Sequence, residues 1–531
     1  MLLPDVLTWR AERTPDATAY VFLDEDGAET AVLTYRELRT RALSVAHELS
    51  RHCAPGDRAL LVFPQCPDFI VAFFGCLYAQ VVAVPVNPPR RAHVPEATRA
   101  IVADCEPAVV LTLAGAPASL PGLPSIAVDT VDTVDTVPDR GFAPPPAERD
   151  GLAFLQYTSG STSTPKGVMV SHDNLEANQE MIRGAFGHDA ESTVVGWAPF
   201  FHDQGLIGNV LQPLYVGARS ILMSPAAFIR RPLLWLSAIS RYRAHTSGGP
   251  NFAFDACVAR ARRGGAGNLD LSCWKVAFNG AEPIRPATLR EFARTFAPNG
   301  FDERALYPCY GLAEATLIVT GSRKGRGPRY AHRGDGVLVA GSGTALPGED
   351  VRIADPREGV GEIWVSGPHV AQGYWKRPAA TAETFPVVDG RTYLRTGDLG
   401  MIDDGELYVL GRVKDLVIVR GRNHYPQDIE QTAMSAHPAL RAGGTAAFGV
   451  PGADGERLVV VQEIQRDHRH DADPVEITRA VRAAVLAEHG LTIGDLVLTA
   501  HGRLAKTSSG KIMRSAARTR YLAGGFEGNG R

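Results

Sequence analysis

The most informative segment of the chain reads Tyr157-Thr158-Ser159-Gly160-Ser161-Thr162-Ser163-Thr164-Pro165-Lys166-Gly167-Val168. Its glycines allow backbone N–H groups to converge on an anion, its small hydroxyls add donors, and Lys166 adds a positive charge. The segment is therefore chemically suited to the oxygens of a triphosphate. It lacks the G-x-x-x-x-G-K-[ST] order of a Walker A loop, so the sequence does not support a P-loop NTPase. Taken alone, the segment fits an exposed Ser/Thr/Gly loop equally well.

Upstream of this segment, helical and strand-like patterns alternate. A helical pattern at 35–49 is followed by a β-rich stretch at 58–63 and by an apolar, helix-like run at 69–80. Such alternation is typical of βαβ units, so we expect a mainly parallel sheet.

The chain has 531 residues, which exceeds the size at which one hydrophobic core stops growing and predicts at least two domains. After Gly411 the pattern changes to short strands, followed by a helical pattern at 474–489 that Gly490 would end. We therefore predict a larger domain at 1–411 and a smaller one at 412–531.

Composition and charge argue against several classes of protein. Hydrophobic residues make up 45% of the chain and charged residues 21%, with a net charge of −3 and no continuous basic pattern, so we expect no nucleic-acid partner. No apolar run reaches the length of a membrane span and no signal peptide pattern opens the chain, so we expect a cytoplasmic location. The seven cysteines include no C-x-x-C pair, which predicts free thiols rather than a disulfide frame or a zinc site.

Six further segments carry chemically useful side chains in a fixed order. They are Phe200-Phe201-His202-Asp203-Gln204-Gly205-Leu206, Asn279-Gly280-Ala281-Glu282-Pro283, Tyr310-Gly311-Leu312-Ala313-Glu314-Ala315-Thr316, Arg395-Thr396-Gly397-Asp398-Leu399-Gly400, Gly411-Arg412-Val413-Lys414-Asp415 and Lys506-Thr507-Ser508-Ser509-Gly510-Lys511. Together with 157–168, these segments resemble the acyl-adenylate-forming (AMP-binding) superfamily over essentially the whole chain. One such segment can arise by chance, whereas the ordered set is hard to explain otherwise.

Three stretches resemble one branch of that superfamily, the fatty acyl-AMP ligases. They are Leu155-Gln156-Tyr157-Thr158-Ser159-Gly160, Gly248-Gly249-Pro250-Asn251-Phe252-Ala253-Phe254 and Gly421-Arg422-Asn423-His424-Tyr425-Pro426-Gln427-Asp428-Ile429-Glu430. The resemblance implies an ATP- and Mg²⁺-dependent ligase that converts a carboxylic acid, in this branch a fatty acid, to acyl-AMP and pyrophosphate. It also implies transfer of the acyl group to the phosphopantetheine thiol of an acyl carrier protein in trans.

The fold that the resemblance implies has two parts. The large N-terminal domain would be of the α/β class, with parallel sheets layered with helices and a distorted β-barrel subdomain. The C-terminal domain would be a small, mobile α+β unit that rotates about a hinge at Lys414. The active site would lie where the two domains meet.

The resemblance also implies a set of nucleotide contacts. Asp398 would accept hydrogen bonds from the ribose hydroxyls, with Arg412 as a second ribose or phosphate contact. Tyr310 and the backbone at 280–282 would hold the adenine, and Glu314 with Thr158 would bind Mg²⁺. The nucleotide-binding residues implied in this way are Thr158, Ser159, Gly160, Ser161, Thr162, Lys166, Gly280, Ala281, Glu282, Tyr310, Gly311, Asp398 and Arg412.

Two residues are candidates for catalysis. Lys511 matches the family's lysine that sits between the attacking carboxylate and the α-phosphate, where its charge would stabilise the transition state. His202 matches a segment near the substrate carboxylate, where an imidazole could orient the acid or gate its entry. From the residues alone, Lys511 fits a solvated lysine and His202 fits a packed histidine. Ala505 stands where the family usually has proline.

The identity of the acid and of the acceptor is less constrained by the sequence. Phe200, Met223, Phe252 and Phe278 would line an acyl pocket according to the resemblance, or they are ordinary core residues. The branch usually carries an insertion that disfavours coenzyme A, and here the matching segment at 321–336 is short. An acyl-CoA synthetase and a ligase for a non-fatty acid therefore remain alternatives.

Overall fold

A computed structural model describes residues 1–88, 94–116, 122–131, 143–158, 165–419, 422–452, 455–468, 471–507 and 511–526. Within these ranges, no helix combines the length and the apolar character that a membrane crossing requires.

Helices and strands alternate through most of the chain. The α-helices are Leu3–Arg13 (α1), Tyr35–Ser50 (α2), Pro67–Tyr78 (α3), Glu96–Cys105 (α4), His172–Phe186 (α5), Gln212–Val216 (α6), Pro225–Arg230 (α7), Pro232–Tyr242 (α8), Asn251–Gly264 (α9), Pro286–Phe296 (α10), Pro378–Thr384 (α11), Pro426–Ser435 (α12), Pro474–His489 (α13) and Arg514–Leu522 (α14). The strands are Thr18–Leu23 (β1), Glu29–Thr34 (β2), Arg58–Leu61 (β3), Val82–Pro85 (β4), Val109–Thr112 (β5), Ser125–Ala127 (β6), Leu152–Thr158 (β7), Lys166–Ser171 (β8), Val194–Gly196 (β9), Ser220–Met223 (β10), Thr246–Gly249 (β11), Val276–Asn279 (β12), Leu306–Gly311 (β13), Ile318–Gly321 (β14), Tyr330–His332 (β15), Leu338–Ala340 (β16), Thr344–Ala345 (β17), Asp350–Arg357 (β18), Val360–Ser366 (β19), Val387–Val388 (β20), Arg391–Thr392 (β21), Leu394–Asp403 (β22), Glu406–Arg412 (β23), Val417–Val419 (β24), Arg422–His424 (β25), Leu440–Gly452 (β26), Gly455–Ile464 (β27) and Ile493–Thr499 (β28).

Two large sheets form the frame of the N-terminal region. The first has nine strands in the order β17-β14-β13-β12-β11-β9-β10-β1-β2, and its strands from β13 to β1 run parallel. The second has six strands in the order β6-β5-β3-β4-β7-β8, all parallel except for the β7–β8 hairpin. Short strands such as β3 and β4 are buried almost throughout, as expected for parallel strands covered on both faces.

Helices cover the sheets in layers. One hydrophobic core contains residues of α2, α3 and α5 together with one face of each large sheet, so these helices lie between the two sheets. A second core packs α8, α9 and α10 on the other face of the nine-stranded sheet. This helix–sheet layering is the α/β architecture that the sequence predicts.

Two smaller units follow the large sheets. Strands β18, β19, β22 and β23 form a four-stranded antiparallel sheet, which occupies the place of the expected barrel subdomain. After it, β26, β27 and β28 form a three-stranded sheet with hydrophobic clusters on both faces. The predicted fold class, a large α/β region followed by a small α+β region, is confirmed.

Local signals explain where several helices begin and end. At the start of α2, Thr34 and Glu37 form a reciprocal capping box. Gly490 ends α13 in the left-handed conformation, with φ of 63°. The patterns at 35–49, 69–80 and 474–489 are thus confirmed as helices α2, α3 and α13. The domain boundary at 411 stays a prediction.

Candidate active site

The candidate site lies along the carboxyl-terminal edge of the parallel strands in the nine-stranded sheet, where open α/β sheets bind ligands. β12 leads into Gly280 and β13 ends at Tyr310 and Gly311. At the same edge, β9 leads into the segment 197–203. The parallel strands therefore bring three of the sequence segments to one edge.

Asp398 connects an aromatic ring to a cation. The Tyr310 hydroxyl donates to Asp398 Oδ2 at 2.8 Å, and Arg412 Nε donates to Oδ1 at 3.0 Å. Asp398 and Arg412 are direct partners in the β22–β23 pairing, which fixes their register. Burial raises the pKa of Tyr310, and the charge of Asp398 raises the pKa of Arg412. A carboxylate accepts about four hydrogen bonds, so Asp398 retains capacity for ligand hydroxyls.

The segment after β12 approaches β13 closely. A Cβ atom at Gly280 would lie 2.7 Å from the carbonyl oxygen of Cys309, so this position requires glycine. Ala281 has φ of 69°, a left-handed conformation that is rare for alanine and that often occurs at functional sites. Glu282 Oε1 accepts the N–H of Asn251 at 2.8 Å, at the start of α9. The segment 280–282 thus passes close to β13 at Cys309 and is connected to the start of α9 through Glu282.

Lys166 and Glu314 both contact Tyr374. In the β7–β8 hairpin, Thr158 pairs with Lys166, whose ammonium nitrogen lies 4.6 Å from the centre of the Tyr374 ring. The Tyr374 hydroxyl donates to Glu314 Oε1 at 2.9 Å. Burial raises the pKa of Glu314, while the bond from Tyr374 and the charge of Arg412 lower it.

The Glu314 carboxylate could serve as one ligand of Mg²⁺ bound together with a nucleotide. This carboxylate can accept further bonds besides the one from Tyr374, and Thr158 is the second expected ligand. In the ranges that the structure describes, no group of three or more His, Cys, Asp and Glu side chains could hold a metal alone. Mg²⁺ commonly binds through one or two carboxylates, substrate phosphates and water, so a partial ligand set is suitable.

His202 presents an unpaired nitrogen. It lies just before a π-helix, Gln204–Leu211, a rare element that is frequent at functional sites. Its Nε2 atom is buried and has no hydrogen-bond partner within the described part of the chain. Burial lowers the pKa of His202, and the charge of Lys511 lowers it further, whereas the charge of Asp203 raises it. The imidazole is therefore neutral near pH 7.

Lys511 extends from the C-terminal region toward this edge. Its N–H donates to Thr507 Oγ1 at 3.1 Å, and the Thr507 N–H donates to the Lys511 carbonyl at 2.8 Å. Burial lowers the pKa of the Lys511 ammonium group. The charges that act on it are those of Glu282, Arg412, Asp203 and Asp398. The carboxylates that act on Lys511 therefore come from three separate segments of the N-terminal region.

Direct contacts hold the C-terminal region in this arrangement. Arg333 donates to Asp428 at 2.7 Å, and its guanidinium lies 4.1 Å from the centre of the Tyr425 ring. Arg285 donates to Gln431 at 3.1 Å. Arg333 lies within 321–336, so the short segment at the place of the expected insertion contacts α12.

The four acyl-pocket candidates do not form one cluster. Phe200 and Phe278 belong to the core between the two large sheets, whereas Met223 and Phe252 pack on the opposite face of the nine-stranded sheet. Phe252 lies 5.9 Å from Trp197, between ring centres. Their role in acyl binding stays a prediction.

Two glycines of β11 make room for aromatic rings. A Cβ atom at Gly248 would lie 2.5 Å from the Phe278 ring, and one at Gly249 would lie 2.6 Å from the Trp197 ring. Glycines within strands often mark such close approaches. Trp197 Nε1 is buried and lacks a hydrogen-bond partner among the described residues.

The sequence interpretation was incomplete for this site. Ser159, Gly160, Ser161 and Thr162 lie outside the described residues, and Lys414 is exposed in the turn Val413–Asp415. Tyr374 and Trp197 were not predicted as site residues. Tyr374 lies in the triplet Gly-Tyr-Trp and Trp197 in the pair Gly-Trp, and such short patterns do not indicate which partners these side chains contact.

Comparison with known proteins agrees with this geometry. Residues 7–375 match the family described as AMP-binding enzyme, and residues 414–529 match the Disco-interacting protein 2-like AMP domain. The chain therefore belongs to the AMP-binding enzyme family.

Individual relatives extend over nearly the whole chain. The medium-chain-fatty-acid–[acyl-carrier-protein] ligase JamA of Moorena producens is 41% identical, covering 98% of this chain and 95% of that protein. The long-chain-fatty-acid–AMP ligase FadD26 of Mycobacterium marinum is 37% identical, covering 99% and 98%. The crystal structure of a fatty acyl-adenylate ligase from L. pneumophila, in complex with acyl adenylate and pyrophosphate, has a TM-score of 0.76 and 38% identity, covering 98% of this chain and 96% of that one. The chain is thus an AMP-forming ligase of the fatty acyl-AMP ligase branch of this family.

Proposed function

We propose that this protein uses ATP and Mg²⁺ to convert a fatty acid to acyl-AMP, which it transfers to the phosphopantetheine thiol of an acyl carrier protein. The observation that supports the proposal is the Tyr310–Asp398–Arg412 group, whose Asp398 and Arg412 charges, with those of Glu282 and Asp203, also act on the buried Lys511 ammonium group. Tyr310, Asp398 and Arg412 offer groups for a nucleotide at this edge of the sheet, and Lys511 supplies the cation for the reaction.

In the first half-reaction, a carboxylate oxygen of the acid attacks the α-phosphorus of ATP. The bond from that phosphorus to the oxygen that bridges to the β-phosphate breaks, and pyrophosphate leaves. Lys511 offsets the charge that increases on the α-phosphate oxygens in the transition state. His202 orients the acid through its free Nε2, since a neutral imidazole can hydrogen-bond to the substrate carboxyl group.

The nucleotide is held at both ends. Asp398 accepts hydrogen bonds from the ribose hydroxyls, and Arg412 holds the Asp398 carboxylate in place. Tyr310 packs against the adenine. Lys166 with Thr158 binds the phosphates, together with residues 159–162. Glu314 and Thr158 hold Mg²⁺, which when bound offsets phosphate charge.

In the second half-reaction, the thiol sulfur attacks the acyl carbonyl carbon, the bond to the phosphate oxygen breaks, and AMP leaves. The thiol proton passes to solvent. Lys414 is the hinge about which the C-terminal region rotates, so that Lys511 withdraws and the thiol enters. Two of the named relatives support the acid and the acceptor, because one is a fatty-acid–[acyl-carrier-protein] ligase and the other a fatty-acid–AMP ligase.

Exchange of labelled pyrophosphate into ATP tests the first half-reaction without any acceptor. We expect exchange only when a fatty acid and Mg²⁺ are both present. Exchange without an acid, or with amino acids but not with fatty acids across a range of chain lengths, would contradict the proposal.

A further inference from the structure

We infer that Tyr374 is a positioning residue that sets the distance between the phosphate-binding hairpin and the Mg²⁺-binding carboxylate. The inference rests on the proposed function, because it takes Lys166 as a phosphate contact and Glu314 as a metal ligand. It adds a third residue, Tyr374, whose ring contacts Lys166 and whose hydroxyl contacts Glu314.

The backbone around Tyr374 is fixed to β8. The Met169 N–H donates to the Gly373 carbonyl at 2.9 Å, the Gln372 N–H donates to the Met169 carbonyl at 3.0 Å, and the Trp375 N–H donates to the Gly167 carbonyl at 2.8 Å. Residues 372–375 therefore run antiparallel to β8, with Tyr374 opposite Val168 in an isolated β-bridge. Tyr374 cannot move without disturbing that pairing.

The side chain has a separate contact at each end. Its ring lies under the Lys166 ammonium, 4.6 Å away, and its hydroxyl donates to Glu314 at 2.9 Å. Only 6% of Tyr374 is exposed, so both contacts operate in a medium of low polarity, where they are stronger than in water. The Tyr374 N–H is itself tied to Thr381 Oγ1 at 2.9 Å.

The same segment also holds the backbone of Glu314. The Ala371 N–H donates to the Glu314 carbonyl at 2.9 Å, and Thr316 Oγ1 donates to the His369 carbonyl at 2.6 Å. Segment 369–374 thus binds both the main-chain carbonyl of Glu314, through Ala371, and its side-chain carboxylate, through Tyr374. Because a triphosphate with its metal must contact Lys166 and Glu314 together, this segment determines whether both contacts can form at once.

Two substitutions separate the two contacts. Tyr374→Phe keeps the ring under Lys166 and removes only the bond to Glu314, whereas Tyr374→Leu removes both. Affinity for ATP is measured by calorimetry with and without Mg²⁺, in the absence of any acid.

For Tyr374→Phe, we expect unchanged ATP affinity without Mg²⁺ and an approximately tenfold smaller gain in affinity on adding Mg²⁺, because a bond to a charged group is lost. For Tyr374→Leu, we expect the same loss and, in addition, about fivefold weaker binding without Mg²⁺, because the cation–π contact is lost. In a double-mutant cycle, Lys166→Gln should remove the Mg²⁺-independent effect of Tyr374→Leu, since the contact no longer exists.

Tyr242→Phe is the matched control. Its hydroxyl donates to Glu29 at 2.6 Å, far from the strand edge that carries the candidate site, so its loss should leave ATP and Mg²⁺ binding unchanged. Melting curves verify that each variant folds.

A folded Tyr374→Phe protein with the wild-type gain in affinity on adding Mg²⁺ would overturn the inference. So would equal losses with and without Mg²⁺, which indicate a general structural role. Since these measurements need no acid, they remain interpretable if fatty-acid adenylation itself is not found.

Discussion

The charged side chains of the candidate site form one connected group. Asp398 binds Tyr310 and Arg412 directly, and the charges of Asp398 and Arg412 both act on Lys511. In a partly buried site such groups influence one another strongly, so removing one charge changes the field at the others. Binding and catalysis are therefore best separated by measuring both for each substitution.

Lys511→Ala tests the catalytic role of this group. We expect the rate of acid-dependent pyrophosphate release to fall by at least about 100-fold, because the cation acts mainly on charge that develops in the transition state. ATP affinity, measured by calorimetry, should change by less than about threefold, because the cation contributes little to the binding of ATP before the reaction.

Lys275→Ala is the control for Lys511, because Lys275 is an exposed lysine whose ammonium group donates to the Ser272 carbonyl. It should leave both quantities unchanged. A Lys511→Ala protein that adenylates at the wild-type rate would remove Lys511 from the mechanism.

At the level of elements, α5 connects the phosphate-binding hairpin to the segment around Tyr374. α5 starts directly after β8 with a capping box between Ser171 and Asn174. The Asn174 amide also donates to the carbonyls of Pro368 and Val370, at 2.8 and 2.9 Å. One side chain therefore serves both the helix start and the neighbouring segment.

Asn174→Ala should lower the free energy of unfolding by about 3 kcal/mol, because it removes the acceptor of the Ser171 N–H in the capping box and leaves the carbonyls of Pro368 and Val370 without their donors. Urea unfolding measures the change. Thr34→Ala, which removes only the exposed capping box of α2, should cost about 1 kcal/mol. Equal costs for the two variants would show that the bonds to 368 and 370 contribute nothing.

Secondary structure could be predicted from the sequence where local signals are strong. The Thr34–Glu37 capping box and Gly490 mark helix ends, and α2 and α13 match their predicted ranges closely. The contacts of Tyr374 could not be predicted, because its partners Lys166 and Glu314 are distant in the sequence and meet only through tertiary packing. For the same reason, the sequence could not show that Met223 and Phe278 lie on opposite faces of one sheet.

At the scale of the whole molecule, the contact between Arg333 and α12 connects the C-terminal region to segment 321–336. Asp428→Asn removes the charge that Arg333 meets across the interface. We expect faster hydrogen exchange at 411–430 and severalfold slower adenylation, because the arrangement that admits Lys511 becomes less populated.

Asp335→Asn is the matched comparison, because Asp335 also binds Arg333 but lies in the same segment of the N-terminal region. It should leave hydrogen exchange at 411–430 close to that of the wild type. Equal effects of the two substitutions would mean that the Arg333–Asp428 contact does not hold the C-terminal region.

Two buried histidines predict a loss of stability in mild acid. Burial lowers the pKa of His188 to about 3 and of His245 to about 4, with Lys324 acting in the same sense and Asp189 opposing it. Each histidine has a pKa near 6.5 in the unfolded chain, so the unfolded state binds more protons below that pH. The free energy of unfolding should therefore have its full value above about pH 6.5. Below that pH, each histidine should lower it by up to about 1.4 kcal/mol for every unit by which the pH decreases.

Urea unfolding between pH 7.5 and pH 5 measures this dependence. The variant His188→Gln/His245→Gln should show a shallower slope, because neither glutamine binds a proton. An unchanged slope would assign the acid sensitivity to other groups.

The most direct test of the proposed activity is mass spectrometry of the products formed from ATP, Mg²⁺ and mixed fatty acids, with coenzyme A or a phosphopantetheinylated carrier protein as acceptor. We predict fatty acyl-AMP without acyl-CoA, and an acylated carrier protein when the carrier is supplied. Abundant acyl-CoA would contradict the assigned acceptor, and the absence of any fatty acyl-AMP would contradict the proposed function.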